Sequence, residues 1–342
     1  MGHPAVENRT PFAFEPLFLS DEEGQPLFVP LVKATYGLGQ NGLTLAPEQV
    51  PPFLAGVPHG DPDTSSYRYE PEGSLPKPAT DVVLAGSAFA PNAGATEVLV
   101  ALQVGPLKKG VRVLGDRVFF KSLGSVGMTK PVPFEKIPLQ WERAFGGWDR
   151  SNPDERRHSF EPRNPVGLGF RASGTLFEEG VRCPNLEDPA RPFKGWGDRP
   201  APASCGFVSP GWEPRTKYAG TYDERWEKER APLLPLDFDR RFLNAASPGL
   251  VASGYLGGGE KVVVADVAPG GGAYRFELPR LPAPTIRAQL DRGPDAVIDT
   301  RLDTVIIDTD AQRLFLCWRG RAPLRDGPND VIAIEVKSSA SQ

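Results

Sequence analysis

Proline and glycine occur too often in this chain to leave room for long helices. The 342 residues hold 38 Pro and 37 Gly, together more than a fifth of the chain, with no repeating period. An interior proline removes a helical hydrogen bond and clashes with the preceding turn, and an interior glycine costs backbone entropy. Both residues fall between short apolar runs, so they punctuate strands and loops rather than mark collagen or disorder. The expected fold is mostly β, α+β at most: antiparallel sheets in a sandwich-like arrangement, with long Pro/Gly-rich loops and one or two short helices. A chain of this length can bury a sizeable core.

The first apolar runs, FAFEPLFL and PLFVPLVKATYGL, flank the turn-forming residues Ser20 to Gly24 and predict a hairpin over residues 12–36. Lys33 lies in its second arm, facing solvent or a partner carboxylate, and a solvated strand lysine is the simpler reading. Further strands are predicted at 81–89, 96–104 and 111–120. The loose alternation of TEVLVALQV suits burial on both faces, and Leu114 to Arg117 predicts a separate hairpin in the third run. After Ser247, strands are predicted at 254–266, 273–278, 284–291 and 296–301. A hairpin follows over 303–318, turning at Thr309 to Gln312, and residues 323–329 read as another turn. The layout is a single domain over 1–330: a β half to 125, a loop-rich segment 126–250 with short helices laid across the sheets, and a second β half from 251 to 330. Residues 331–342 are expected as an edge strand or tail, with SSASQ frayed.

Charge excludes one class of partner. The 39 basic and 43 acidic side chains give a formal charge of -4 and are mixed along the whole chain. No Lys/Arg stripe offers the footprint that phosphate backbones require, so nucleic acid is not an expected partner. The opening MGHPAVENRTPFAF shows no basic leader followed by an apolar core, and no apolar run approaches a bilayer span. No membrane partner and a cytoplasmic location are therefore expected. Cys183, Cys205 and Cys317 are odd in number and lack CxxC spacing, which argues against a disulfide framework or a zinc knuckle and for buried free thiols.

Motifs that carry chemistry are sparse. His59, Asp61 and Asp63 have metal-ligating atoms, but nothing nearby repeats the pattern and loop solvation accounts for them. Glu142 and Asp149 pair two acids beside aromatics, as glycosidases do across a sugar bond. Arg143 and Arg150 directly follow them, so charge pairing is the simpler account. Gly167 and Gly169 lack the third glycine, preceding strand and following helix of a dinucleotide fingerprint, and a tight backbone approach explains them. His158 has no partner, and neither a G-x-S-x-G nor an H-E-x-x-H occurs. No catalytic residue, cofactor or metal is expected, and the chain does not read as an enzyme.

Residues 211–248, GWEPRTKYAGTYDERWEKERAPLLPLDFDRRFLNAASP, break the strand pattern. Thr221 or Asp223 can cap a short helix over DERWEKER, with acids early and bases late to match the helix dipole. Pro232 stops it, and Asp239 can cap a second short helix. Aromatics beside Pro and Gly commonly plug the end of a sandwich, and Trp, Tyr and Arg also dominate interface hot spots. The residues in question are Trp212, Tyr218, Tyr222, Trp226, Asp237, Asp239 and Arg240. They form either a core plug or a docking surface.

Seven stretches then resemble a known family. They are LVKATYGL (31–38), KPATDVVLAGSAFAP (77–91), WERAFGG (141–147), NPVGLGF (164–170), CGFVSPGWEPRTKYAGTYDERW (205–226), PLDFDRRFLNAASP (235–248) and IDTDAQRLFLCWRG (307–320). In this order they resemble the bacterial domain of unknown function 2169, found alongside type VI secretion genes. The resemblance implies an adaptor or chaperone in the cytosol that helps load a secreted effector onto the secretion spike. Its implied partners are the effector, a proline-alanine-alanine-arginine-repeat tip protein and the valine-glycine-repeat spike protein. No catalytic residues are carried over with it. Two rivals remain on the sequence: a carbohydrate-binding or carbohydrate-active β-sandwich protein, and a structural subunit of a bacterial assembly.

Overall fold

In the computed structural model, which describes residues 4–39 and 42–338, the strand Pro26–Gly39 forms the spine of a seven-stranded sheet. Its β-branched and aromatic side chains suit a pleated surface, and residues 27–36 are all buried, so both faces are covered. Ala13–Ser20 and Gly42–Leu45 pair along one edge, and Arg313–Arg319 and Ala322–Pro323 along the other. Arg301–Asp308 follows antiparallel to Arg313–Arg319, and Asp81–Ala85 closes the order parallel to Arg301–Asp308. Both predicted hairpins, 12–36 and 303–318, form with their expected turns. At the first turn the Asp21 carboxylate accepts from the backbone N–H of Glu23 (3.0 Å) and Gln25 (2.9 Å), and Gly24 supplies φ +80°.

A second, five-stranded sheet orders Leu186–Glu187, Leu107–Leu114, Glu97–Val104, Lys261–Ala268 and Gly272–Glu277. A third of four strands orders Ala5–Asn8, Val331–Lys337, Thr285–Leu290 and Ala296–Asp299. Inner faces of all three contribute to one contiguous core that includes Val32, Val100, Val264, Ile286, Val305 and Ile334. A smaller cluster of Phe119, Phe145, Phe170, Cys183 and Phe193 packs under the loops. The fold is thus mostly β with several antiparallel sheets. Among the described residues the helical content is one α-helix, Glu224–Glu229, and short 3-10 turns.

Several local expectations change. The Leu114 to Arg117 turn closes no hairpin. The two-residue turn Gly105–Pro106, with Gly105 at φ +54°, joins Glu97–Val104 to Leu107–Leu114, and Lys109 stands opposite Leu102 in a run that reads as polar. Glu97–Val104 is buried on one face only: Val100, Leu102 and Val104 point in while Leu99 is exposed. Val331–Lys337 lies between two strands and is not an edge, and the end of the SSASQ tail, 339–342, falls outside the described residues.

The largest departure is Lys33, which is fully buried rather than solvated. Its Nζ donates to Glu72 Oε2 at 2.8 Å and to the Pro51 carbonyl at 3.3 Å, and sits 3.4 Å from the centroid of the Phe53 ring. A chain of buried charge continues from there. Arg319 donates to the Glu72 carbonyl (2.8 Å) and to the Asp303 carboxylate. Asp303 Oδ2 accepts from the Lys77 backbone N–H, and Lys77 Nζ meets Asp81 at 2.7 Å. Asp81 in turn accepts from Asn244 Nδ2 and the Ala245 N–H, both at 2.8 Å. Each charge has an opposite partner, and the three carboxylates accept from further donors, which is what makes burial tolerable. The chain fastens residues 72–81 and 244–245 to the central sheet.

Candidate functional site

The 211–248 stretch divides into a wedge and an arm. In the wedge, Trp212 is buried edge-on against Trp141, with ring centroids 6.0 Å apart and planes at 89°. The Trp141 indole N–H donates to the Phe207 carbonyl at 2.7 Å. Arg215 is buried as well, donating to Glu70 and to the carbonyls of Val208 (2.7 Å) and Phe242 (3.1 Å). Trp212 therefore belongs to the core.

The arm is built differently. Asp223 caps the Glu224–Glu229 helix by accepting from the Trp226 N–H at 2.8 Å, and no helix residue is buried. Six residues cannot hold a helix on propensity alone. External ties supply the rest: the Trp226 indole N–H donates to the Leu233 carbonyl (2.8 Å), and Asp237 accepts from the Thr221 N–H (2.9 Å) and hydroxyl (2.8 Å). Arg230 and Arg240 then pin the arm to the first hairpin turn, Arg230 on Glu23 at 2.8 Å and Arg240 on Glu22 at 2.5 and 2.8 Å. Asp239 caps the 3-10 turn Arg240–Leu243, and Tyr218 lies beside the Arg241 guanidinium, 4.5 Å from its ring centroid. Tyr222 and Leu236 remain exposed, at 54% and 78%. Tyr222 packs edge-on to Trp226 at 4.7 Å. Trp226, Pro235, Leu236, Asp223 and Asp237 line a groove of about 260 Å³. Six of the seven candidate residues thus sit on one arm, and Trp212 does not.

A second groove, about 760 Å³, was not singled out by sequence reasoning. Tyr67, Trp148, Arg150, Val166, Pro210 and Trp212 are among its lining. Trp148 is half exposed, packs on Phe160 at 4.5 Å and carries Arg150 5.0 Å from its ring centroid. The signal was the second tryptophan of WERAFGGW, overlooked beside the acids. Its wall is held by a glycine–asparagine knot. Asn164 Nδ2 donates to the carbonyls of Trp141 (2.8 Å) and Phe145 (2.9 Å), while a Cβ on Gly147, at φ +96°, would strike the Gly167 carbonyl. That is the tight approach expected of the Gly167 region.

The candidate chemical groups are occupied structurally. Glu142 accepts from the Ser66 N–H (2.6 Å) and hydroxyl (2.8 Å), and Asp149 from Ser151, the Ala172 N–H and the Thr175 hydroxyl. Neither pairs with the arginine that follows it, contrary to expectation: Arg143 lies near Asp116 and Arg150 over Trp148. Burial works against the Asp149 carboxylate, but these donors hold it well below the ordinary range. His59 is hydrogen-bonded to Gln140 and His158 to the Asn152 carbonyl, both at 2.9 Å. Among the described residues no three His, Cys, Asp or Glu side chains are grouped to hold a metal. Lys109, whose amine is held below its ordinary value by burial, donates to Ser247 Oγ at 2.5 Å. The elements of an amine-activated hydroxyl are present there, but Ser247 is fully buried and its hydroxyl donates to the Ser204 carbonyl at 2.6 Å. All three cysteines are free and buried. Among the described residues no helix is long and apolar enough to cross a membrane.

Fold and surface together define a mostly antiparallel β protein that displays a pinned helical arm and an aromatic groove. The chain belongs to the family described as uncharacterized proteins conserved in bacteria, DUF2169, whose family model matches residues 23–319. No curated protein and no solved structure matches the chain.

Proposed function

We propose that this protein is a cytosolic adaptor that binds a type VI secretion effector, its spike-tip protein, or both, and assists loading onto the spike. The resemblance described above supports the secretion role, and the arm is the observation that carries a docking function. An arm whose six-residue helix has no buried residue, which is capped and tied at both ends and which presents Tyr222 and Leu236 to solvent, contributes little to the core. Its rigidity instead lowers the entropy lost when a partner is bound. Exposed aromatic anchors ringed by charge are the composition of interface hot spots.

The test is co-purification from the native host of tagged chain, native beside a Tyr222→Ala, Leu236→Ser double variant whose circular dichroism matches the native protein. An effector or tip protein that accompanies the native chain and is lost from the variant supports the role and places it on the arm. Retention of that partner by the variant moves the interface elsewhere. If neither protein accompanies the native chain, the adaptor role fails.

A further inference from the structure

The charges around the arm groove are unevenly matched. Of the two cations lining it, Arg225 is tied to Glu229 at 3.0 Å, and Arg230 turns away to the Glu22 carbonyl and the Glu23 carboxylate. The two remaining acids, Asp223 and Asp237, accept only from uncharged donors, the Trp226 N–H and the Thr221 N–H and hydroxyl. Neutral donors fix a carboxylate without cancelling its charge. Among the described residues neither carboxylate has a salt-bridge partner, although Arg225 acts on Asp223 at longer range, so two only partly offset negative charges flank an apolar surface made by the Trp226 indole, Pro235 and the exposed Leu236. At about 260 Å³ the groove is below the roughly 300–1,000 Å³ of small-ligand pockets. It suits one or two side chains of a larger partner.

Resting on the adaptor reading above, we propose that this groove receives an extended partner segment that carries an arginine or lysine beside an aliphatic side chain. The aliphatic group covers Leu236 and Pro235. The cation meets Asp223 and Asp237 and lies against the Trp226 ring, where indole is the best aromatic acceptor for a cation. An acidic segment would face both carboxylates, and such like-charge juxtaposition is a strong bar to wrong partners.

A fluorescent peptide of alternating leucine and arginine, and a matched peptide with glutamate for arginine, are titrated against the full chain by anisotropy. The arginine peptide is expected to bind the more tightly and to weaken with salt. Asp223→Asn with Asp237→Asn removes both charges while keeping their shapes, and asparagine caps a helix as well as aspartate does. This variant, checked for native circular dichroism, should bind the arginine peptide roughly tenfold more weakly, the scale of two exposed ion pairs. Leu236→Ala should weaken it separately. A control with Glu48→Gln and Glu179→Gln makes the same charge change at two exposed acids outside the groove. Equal binding of both peptides, an unaffected Asp223/Asp237 variant, or an equal loss in the control overturns the proposal. If the native partner still co-purifies while the arginine peptide fails, the groove chemistry is wrong and the adaptor role stands. Absence of any partner sinks that role instead.

Discussion

Replacing Lys33 by methionine keeps the aliphatic stem and removes only the ammonium, so it isolates the buried charge chain. In the native protein Glu72 Oε2 receives Lys33 Nζ at 2.8 Å and the Phe53 N–H at 2.6 Å, and Oε1 receives the Cys317 thiol at 3.2 Å. Without the lysine, a buried carboxylate keeps two weaker donors and no opposite charge on that oxygen. Breaking one side of a buried pair costs about 3–5 kcal/mol, and the lost contact of the ammonium with the Phe53 ring falls within that figure. Glu72→Gln added to Lys33→Met removes the orphaned charge while its side-chain oxygen still accepts from Phe53. The double variant should therefore be more stable than Lys33→Met alone by at least about 1 kcal/mol, a coupling expected of contacting residues. Guanidinium unfolding followed by tryptophan fluorescence measures both. A loss below about 1 kcal/mol for Lys33→Met, the scale of a surface substitution, would refute the reasoning. So would a double variant no more stable than the single.

Three other outcomes follow from the geometry. Trp212→Ala should destabilise the fold by about 3–5 kcal/mol through its core cavity, whereas Tyr222→Ala should stay within about 1 kcal/mol; similar unfolding midpoints would show that wedge and arm are not distinct. Burial pushes the Cys183 thiol up to about 11 and raises those of Cys205 and Cys317, so a thiol reagent at pH 8 should label none in the native protein and all three in denaturant, and rapid native labelling would contradict this. Because the Asp149 value is lowered on folding, its stabilisation is full above the unfolded value near 4 and is lost as pH falls toward the folded value. The stability gap between native protein and Asp149→Asn should close on acidification, and a widening gap would reverse the sign.

Local rules were legible wherever a signal is local. The density of proline and glycine, the turns at Asp21 and at Thr309 to Gln312, and the caps at Asp223 and Asp239 each depend on residues within a few positions of one another. They appear where the sequence places them. Glu97–Val104 shows the limit of such reading: its alternation was loose, and one of the two strands it pairs with, Lys261–Ala268, lies more than a hundred residues away. Candidate site residues divided for the same reason. Tyr222 and Trp226 follow from the short helix that one precedes and the other belongs to, but Trp212 looks equally aromatic in sequence and becomes core only because Trp141 packs against it.

From the residue order alone came the β class, the buried thiols and the unusual character of 211–248. Each reflects short-range sterics, hydrogen-bonding capacity or hydrophobicity. Tertiary structure decided which charges are internal and which aromatics are displayed. Lys33 and Glu72 stand 39 positions apart and Asp303 and Arg319 are 16 apart, yet they join one buried chain. Arg230 and Arg240 reach more than 200 positions back to the first hairpin turn to hold the arm outward. Electrostatic partners act through space, and their distance along the chain carries no trace of it.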